Sequence, residues 1–388
     1  MIGYGKQSLD GREILEVSKV LKSNFLTQGP KILEFENLLS KTFGSKYSTV
    51  VSNGTAALHL VGLSLGWNSK SYVITTPLTF LASANCILYS HATPFFVDID
   101  KHTNCIDVNK IENSIKKLIK MNKSIKAIIG VDFAGLPCDW ASIKQIASKY
   151  NITTINDNCH AIGASINNKI SYAIKYADIV THSYHSVKNI TTAEGGAVLS
   201  KNINIDNKIK LLRNHGILRD EKKQKIYGRW YYEMIDIGYN YRLTDIQAAI
   251  GIVQIKKLNN FIDKRNKIAK FYDNFFSKYS EFSIPKKYSK LGHAYHLYVL
   301  KFDFKKHKKN KVEFFNFLYS KGINLQVHYI PLHYQPVYKK KYGYRKNDFP
   351  NAETYYDQTF SLPIYPELKK EQMIYVAKTI LSYLTNYY

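Results

Sequence analysis

Short apolar or β-branched runs recur along the first half of the chain, at Ser48 to Ser52, Tyr72 to Thr75, Thr93 to Val97, Ala127 to Val131, Thr153 to Asp157, Ile179 to Ser183 and Gly196 to Leu199. Runs of this length, bounded by turn residues, predict buried strands. Most of the segments between them carry helical spacing. Val108, Ile111, Ile115, Leu118 and Ile119 form one apolar stripe, and Asp139 to Tyr150 reads as another helix. Such alternation predicts an α/β fold, with a mainly parallel sheet covered by helices on both faces.

Beyond Arg242 the pattern changes. Thr244 to Phe275 predicts one long helix that carries the chain away from the sheet, so we divide the sequence into a large domain, 1–250, and a smaller C-terminal α/β domain, 251–388. Within the latter, His296 to Leu300 and Ile323 to Val327 read as strands. Arg219 to Met234 is charged and aromatic without periodicity, which predicts a loop, either over a site or on the bare surface. No internal repeat or low-complexity linker interrupts the chain.

Composition narrows the class. With 388 residues and 45% hydrophobic content, the chain has ample material for two cores. No apolar stretch is long enough to cross a bilayer. Met1 to Asp10 lacks the basic-then-apolar pattern of a signal peptide. Cys86, Cys105, Cys138 and Cys159 lack metal spacing and read as reduced thiols, which predicts a cytoplasmic protein without a metal. The formal charge of +25 is compatible with nucleic acid, an anionic membrane or a nucleotide-sugar as partner. The lysines are spread throughout, with no zinc-finger spacing or arginine-rich arm, so we expect no specific nucleic-acid or membrane partner.

The candidate chemistry gathers at predicted strand ends. Lys188 closes Ser183-Tyr184-His185-Ser186-Val187-Lys188, ahead of Thr191-Thr192-Ala193-Glu194-Gly195-Gly196, and Asp157 ends the strand before it. A lysine that can condense with an aldehyde and a carboxylate that can keep a pyridine nitrogen protonated are the two groups pyridoxal 5'-phosphate chemistry needs. Open α/β sheets bind ligands at the carboxyl edge of their strands, where both residues fall. Ser183 adds a hydroxyl for the cofactor phosphate. Asn53-Gly54-Thr55 joins a strand to an alanine-rich helix whose N-terminus suits an anion. Phe80 reads either as a ring stacked on the cofactor or as a core phenylalanine. His160 reads either as a cofactor contact or as a histidine bonded to backbone.

These segments resemble the sugar aminotransferases of the aspartate aminotransferase fold, the DegT/DnrJ/EryC1/StrS group, over nearly the whole chain. Thr27-Gln28-Gly29-Pro30, Val131-Asp132-Phe133-Ala134-Gly135, Gly228 to Met234, Gly238 to Leu243 and Gln326-Val327-His328-Tyr329 carry the likeness. The resemblance implies the fold type I of pyridoxal-phosphate enzymes. It further implies a two-stage exchange from L-glutamate to the C4 ketone of a UDP-linked 4-keto-6-deoxy-N-acetylhexosamine, on the route to pseudaminic acid. Related members that use dTDP- or GDP-linked sugars remain the alternative. The resemblance also implies a homodimer, in which Asn240 reaches the neighbouring subunit's cofactor phosphate. By family position, Thr27, Gln28, Arg242, His296, His328 and Tyr329 are expected to meet the sugar or its diphosphate, and His185 is a motif residue without an assigned role.

The chain departs from the family pattern at Asn158-Cys159, where a small pair is usual, and at Tyr184, where phenylalanine is usual. A sugar dehydratase on the same scaffold would carry histidine in place of Lys188, and a regulator would need an appended helix-turn-helix unit. A basic nucleic-acid-binding module is the non-enzyme alternative.

Overall fold

The computed structural model of the chain describes residues 1–385. Seven strands form the central sheet: β1 (Tyr47–Val51), β2 (Ser71–Thr75), β3 (Thr93–Phe96), β4 (Ser124–Val131), β5 (Thr153–Asp157), β6 (Ile179–Ser183) and β7 (Gly196–Ser200). Their spatial order is β1-β7-β6-β5-β4-β2-β3, and β7 alone runs antiparallel to its two neighbours. The expected strands and the observed ones agree within a residue, except that β4 begins earlier, at Ser124, in a polar stretch without an apolar signal.

Alternation along each strand sends neighbouring side chains to opposite faces. Ile74, Ile128, Val180 and Leu199 enter one core, whereas Val73, Ile129, Ile179 and Val198 enter the other. Burial on both faces explains why these strands read as apolar runs and not as alternating ones. On the helix Val108–Lys120, Ile111, Ile115 and Leu118 are buried, but Ile119 is 50% exposed and lies off the stripe.

The long helix is Asp245–Phe276, with Thr244 as its N-cap and Gln247 completing a capping box. At 1.5 Å per residue it extends roughly 48 Å. Its first half (Ala248, Ile252, Ile255, Leu258) packs in the sheet core, and its second half (Ile268, Tyr272, Phe276) in a separate cluster. That cluster surrounds a three-stranded antiparallel sheet of Phe282–Ser283, Tyr298–Phe302 and Thr359–Leu362. Leu332, Phe349 and Tyr355, late in the chain, nevertheless pack with the first core.

Two short elements differ from expectation. Ile323–Asn324 is a two-residue strand paired in parallel with Ile2–Gly3, and the Ile323 to Val327 run extends no further as strand. The Arg219 to Met234 segment holds the helix Glu221–Tyr227, which buries none of its residues and therefore leaves no apolar stripe to read.

Candidate active site

Parallel strands β5 and β6 end at Asp157 and Ser183, and β1 ends just before the helix Gly54–Ser64, so all three deliver residues to one sheet edge. A cavity of about 450 Å³ opens there. Asn53, Gly54, Thr55, Phe80, Asp157, His160, Ser183, Lys188, His296, His328 and Tyr329 all line it. The sequence singled out every one of these.

The helix approaches the strand ends closely because residue 54 is glycine. A Cβ there would lie 2.8 Å from Ser183 Cβ and 3.4 Å from Cys159 Sγ. Asn53 caps the helix through its side-chain oxygen, which accepts from the Ala56 amide at 2.8 Å. The first-turn amides have no acceptor within the helix and present positive charge to the cavity. This cradle suits a phosphate, and with Lys188 and Asp157 in the same lining the residues fit pyridoxal phosphate. Gly54→Ala is expected to weaken cofactor affinity of the apo-protein by at least about tenfold, since overpacking here pushes apart the cradle's walls; fluorescence titration with pyridoxal phosphate checks it.

Asp157 is 4% exposed. One of its oxygens accepts from the Ser83 hydroxyl at 2.6 Å, the other from the Cys159 amide at 3.2 Å, and Thr79 sits 2.7 Å behind Ser83. The Lys188 amide donates to the His185 carbonyl at 2.9 Å, but its side chain forms no hydrogen bond or ion pair among the described residues. Burial lowers its pKa below the ordinary lysine value, against the opposing pull of Cys159 and Asp157. Burial, with Asp157 beside it, pushes the Cys159 thiol well up, so it stays protonated and unreactive.

His160 is bonded to backbone and also lines the cavity. Nδ1 accepts from the Ala134 amide at 3.4 Å, which puts the ring hydrogen on Nε2, 3.0 Å from Tyr329 Oη. The ring also lines the cavity and lies 4.5 Å from that of His296. His328 meets Ser361 Oγ at 2.8 Å and packs 4.7 Å from Tyr4. Burial, reinforced by the Lys188 charge, lowers the pKa of all three histidines, that of His328 to about 3, so the rings are neutral at pH 7. Phe80 is 51% exposed, which is not the burial of a core residue, and its ring lies 5.7 Å from that of Tyr329.

Four predicted residues lie outside this lining. Gln28 and Arg242 line a second cavity of about 280 Å³, where Arg242 donates to Asn214 Oδ1 at 2.6 Å. Thr27 bridges to Thr244, and the exposed Asn240 bridges to Asn214.

Sequence reasoning missed Ser83, Thr79 and Tyr4. The first two sit two residues to either side of Leu81 without a distinguishing spacing. Tyr4 reaches the cavity through the long-range pairing of residues 2–3 with 323–324, and its carbonyl accepts from the Ile364 amide. His185, left without a role, lines the cavity with Glu194, 3.8 Å away. Among the described residues no cluster suits a metal ion, and no helix is long and apolar enough to cross a membrane.

The DegT/DnrJ/EryC1/StrS aminotransferase family profile matches residues 7–381. The UDP-4-amino-4,6-dideoxy-N-acetyl-beta-L-altrosamine transaminase of Campylobacter jejuni is 40% identical over 384 residues, 99% of this chain and 98% of that protein. GDP-perosamine synthase of Escherichia coli O157:H7 is 32% identical over 380 residues, 98% of this chain and 97% of that one. Among solved structures, Helicobacter pylori PseC, an aminotransferase involved in the biosynthesis of pseudoaminic acid, superposes with a TM-score of 0.89 at 31% identity, covering 100% of both chains. A cradle, a lysine and a carboxylate at one sheet edge, together with likeness along almost the entire length, make this chain a member of the DegT/DnrJ/EryC1/StrS family of pyridoxal-phosphate-dependent sugar aminotransferases, of fold type I.

Proposed function

We propose that this aminotransferase moves an amino group from L-glutamate to the C4 ketone of a UDP-linked 4-keto-6-deoxy-N-acetylhexosamine. Glutamate leaves as its 2-oxo acid and the sugar gains a C4 amine. The observation that carries the reading is Lys188, half-buried and without an ion-pair partner, in one cavity with Asp157 and the Gly54 cradle. Full-length likeness to the Campylobacter jejuni enzyme supports the sugar.

Pyridoxal phosphate, when bound, supplies an aldehyde that takes up amines and a protonated ring that accepts electrons. Lys188 would hold it covalently, with Asn53, Gly54, Thr55 and Ser183 around its phosphate, Asp157 at the ring nitrogen, and Phe80 and His160 about the ring. Once freed, Lys188 moves a proton in each half of the exchange. It can do so only as the neutral amine, and its lowered pKa raises that fraction near neutral pH. Ser83 and the Cys159 amide hold the Asp157 carboxyl, one on each oxygen. His296, His328 and Tyr329, which line the cavity, would meet the sugar, and their neutral rings would add no charge to the pocket.

Thr27, Gln28, Asn240 and Arg242 are proposed to complete the site of a second subunit. Exposed apolar residues in the segment that leads to Asn240, including Trp230 at 78% and Ile237 at 77% exposure, support a dimer. The four free cysteines support a cytoplasmic setting.

The C4 amination of a GDP- or dTDP-linked sugar is the second reading, favoured by the full-length likeness to GDP-perosamine synthase. The test is a mass measurement of sugar products after holoenzyme, L-glutamate and each 4-keto nucleotide-sugar are mixed. An aminated UDP-sugar is expected. Loss of the visible lysine-linked cofactor band on adding glutamate, with only the GDP- or dTDP-sugar aminated, would replace the first reading by the second.

A further inference from the structure

Asp132 is fully buried, 0% exposed, and no lysine, arginine or histidine pairs with it among the described residues. Five donors surround it. One oxygen accepts from the Cys138 amide at 2.8 Å and Trp140 Nε1 at 2.7 Å. The other accepts from Asn156 Nδ2 at 2.9 Å, Asn158 Nδ2 at 2.9 Å and Tyr172 Oη at 2.6 Å. Burial raises the pKa of Asp132 above the ordinary carboxylate value, and the bonds from Tyr172, the Cys138 amide, Asn156 and Trp140 pull the other way.

A fully buried carboxyl held only by neutral groups is an expensive device for packing alone. Its placement gives it another use. Asn156 and Asn158 flank Asp157, and alternation along the strand turns their side chains to the face opposite the Asp157 carboxyl. Asp132 bonds both, while its own amide donates to the Asp157 carbonyl at 3.2 Å and the Asn158 amide donates to the Thr181 carbonyl at 3.0 Å. The residue that faces the cavity is thus gripped on either side from behind the sheet.

We propose that Asp132 is a positioning residue: through Asn156 and Asn158 it fixes the direction in which Asp157 presents its carboxyl to the cofactor ring. This rests on the reading of Asp157 as the ring's partner. The two branches of its bonding make the idea separable from plain stability, because Cys138 and Trp140 lie on the oxygen that does not touch the asparagines.

The test compares Asp132→Asn, Asn158→Ala and Trp140→Phe by three readouts. These are apo-protein melting, the Kd for pyridoxal phosphate, and the pH at which the visible band of the holoenzyme changes. Asp132→Asn is expected to weaken cofactor binding by about tenfold or more and to shift the band's pH dependence, on the scale of one lost buried hydrogen bond. Asn158→Ala, which leaves Asp132 four donors, reproduces the direction with a smaller change and serves if Asp132→Asn does not fold. Trp140→Phe lowers the melting temperature and leaves Kd within about twofold. Unchanged Kd and band in both Asp132→Asn and Asn158→Ala would overturn the proposal. Asp157→Asn separates the two levels: if it too leaves Kd and band unaltered, the reading of the site is what fails.

Discussion

Replacing Lys188 by alanine is expected to lower turnover by at least about a thousandfold and to remove the lysine-linked cofactor band. Noncovalent cofactor binding should persist, because the Gly54 cradle and Asp157 are untouched. The variant should also melt no lower than the parent protein. The Lys188 side chain has no hydrogen-bond or ion-pair partner to orphan among the described residues, and burial already disfavours its charged form. This is a residue the fold tolerates for chemistry and not one the fold needs. The same lowered pKa sets the sign of the pH dependence: the neutral amine grows as pH rises through that value, so the turnover of the parent should climb on the acid side of it. Stopped-time product analysis and a visible spectrum of the purified variant check the claim. An active Lys188→Ala protein would remove Lys188 from the site.

Much of this site was legible because its residues are fixed locally. A strand end, a glycine and a helix N-terminus are short-range signals, so Asn53, Gly54, Asp157 and Ser183 could be placed on one edge before any geometry was known. His160 is legible only as a histidine, since its hydrogen bonds come from Ala134 and Tyr329, residues 26 and 169 positions away. Tyr4 and Ser83 are invisible for the same reason. Their roles follow from pairings across the whole chain, of residues 2–3 with 323–324 and of Ser83 with Asp157. The start of the long helix could be read because Thr244 and Gln247 cap it by local rules, whereas the core each half enters depends on partners that the helix sequence does not specify. Glu221–Tyr227 escaped notice for the opposite reason: it is helical without burying any of its residues, so it carries no apolar stripe.

Lowering the pH from 7.5 to 5.5 is expected to cost the apo-protein much of its stability. Burial pushes the pKa of His182, His293 and His328 down to about 3, and that of His160 and His296 well below the ordinary value. In the unfolded chain each ring takes a proton near pH 6.5. Between those limits the unfolded state binds more protons than the folded one, so stability is whole above about pH 6.5 and falls as the medium is acidified. Each ring contributes at most about 1.4 kcal/mol per pH unit, and three such rings over one unit approach roughly 4 kcal/mol, a large part of a typical domain's stability. Melting temperatures at pH 7.5, 6.5 and 5.5 measure the slope. His182, which meets Tyr184 Oη at 3.2 Å and packs against Phe43, lies outside the cavity lining. His182→Phe should therefore flatten the acid slope by about one proton without touching cofactor affinity. Lys188→Ala should ease it through His160, His296 and His328, whose rings feel the Lys188 charge. A melting temperature that stays level down to pH 5.5 would mean that these rings accept protons in the folded protein, and the neutral pocket proposed for the sugar would have to be given up with them.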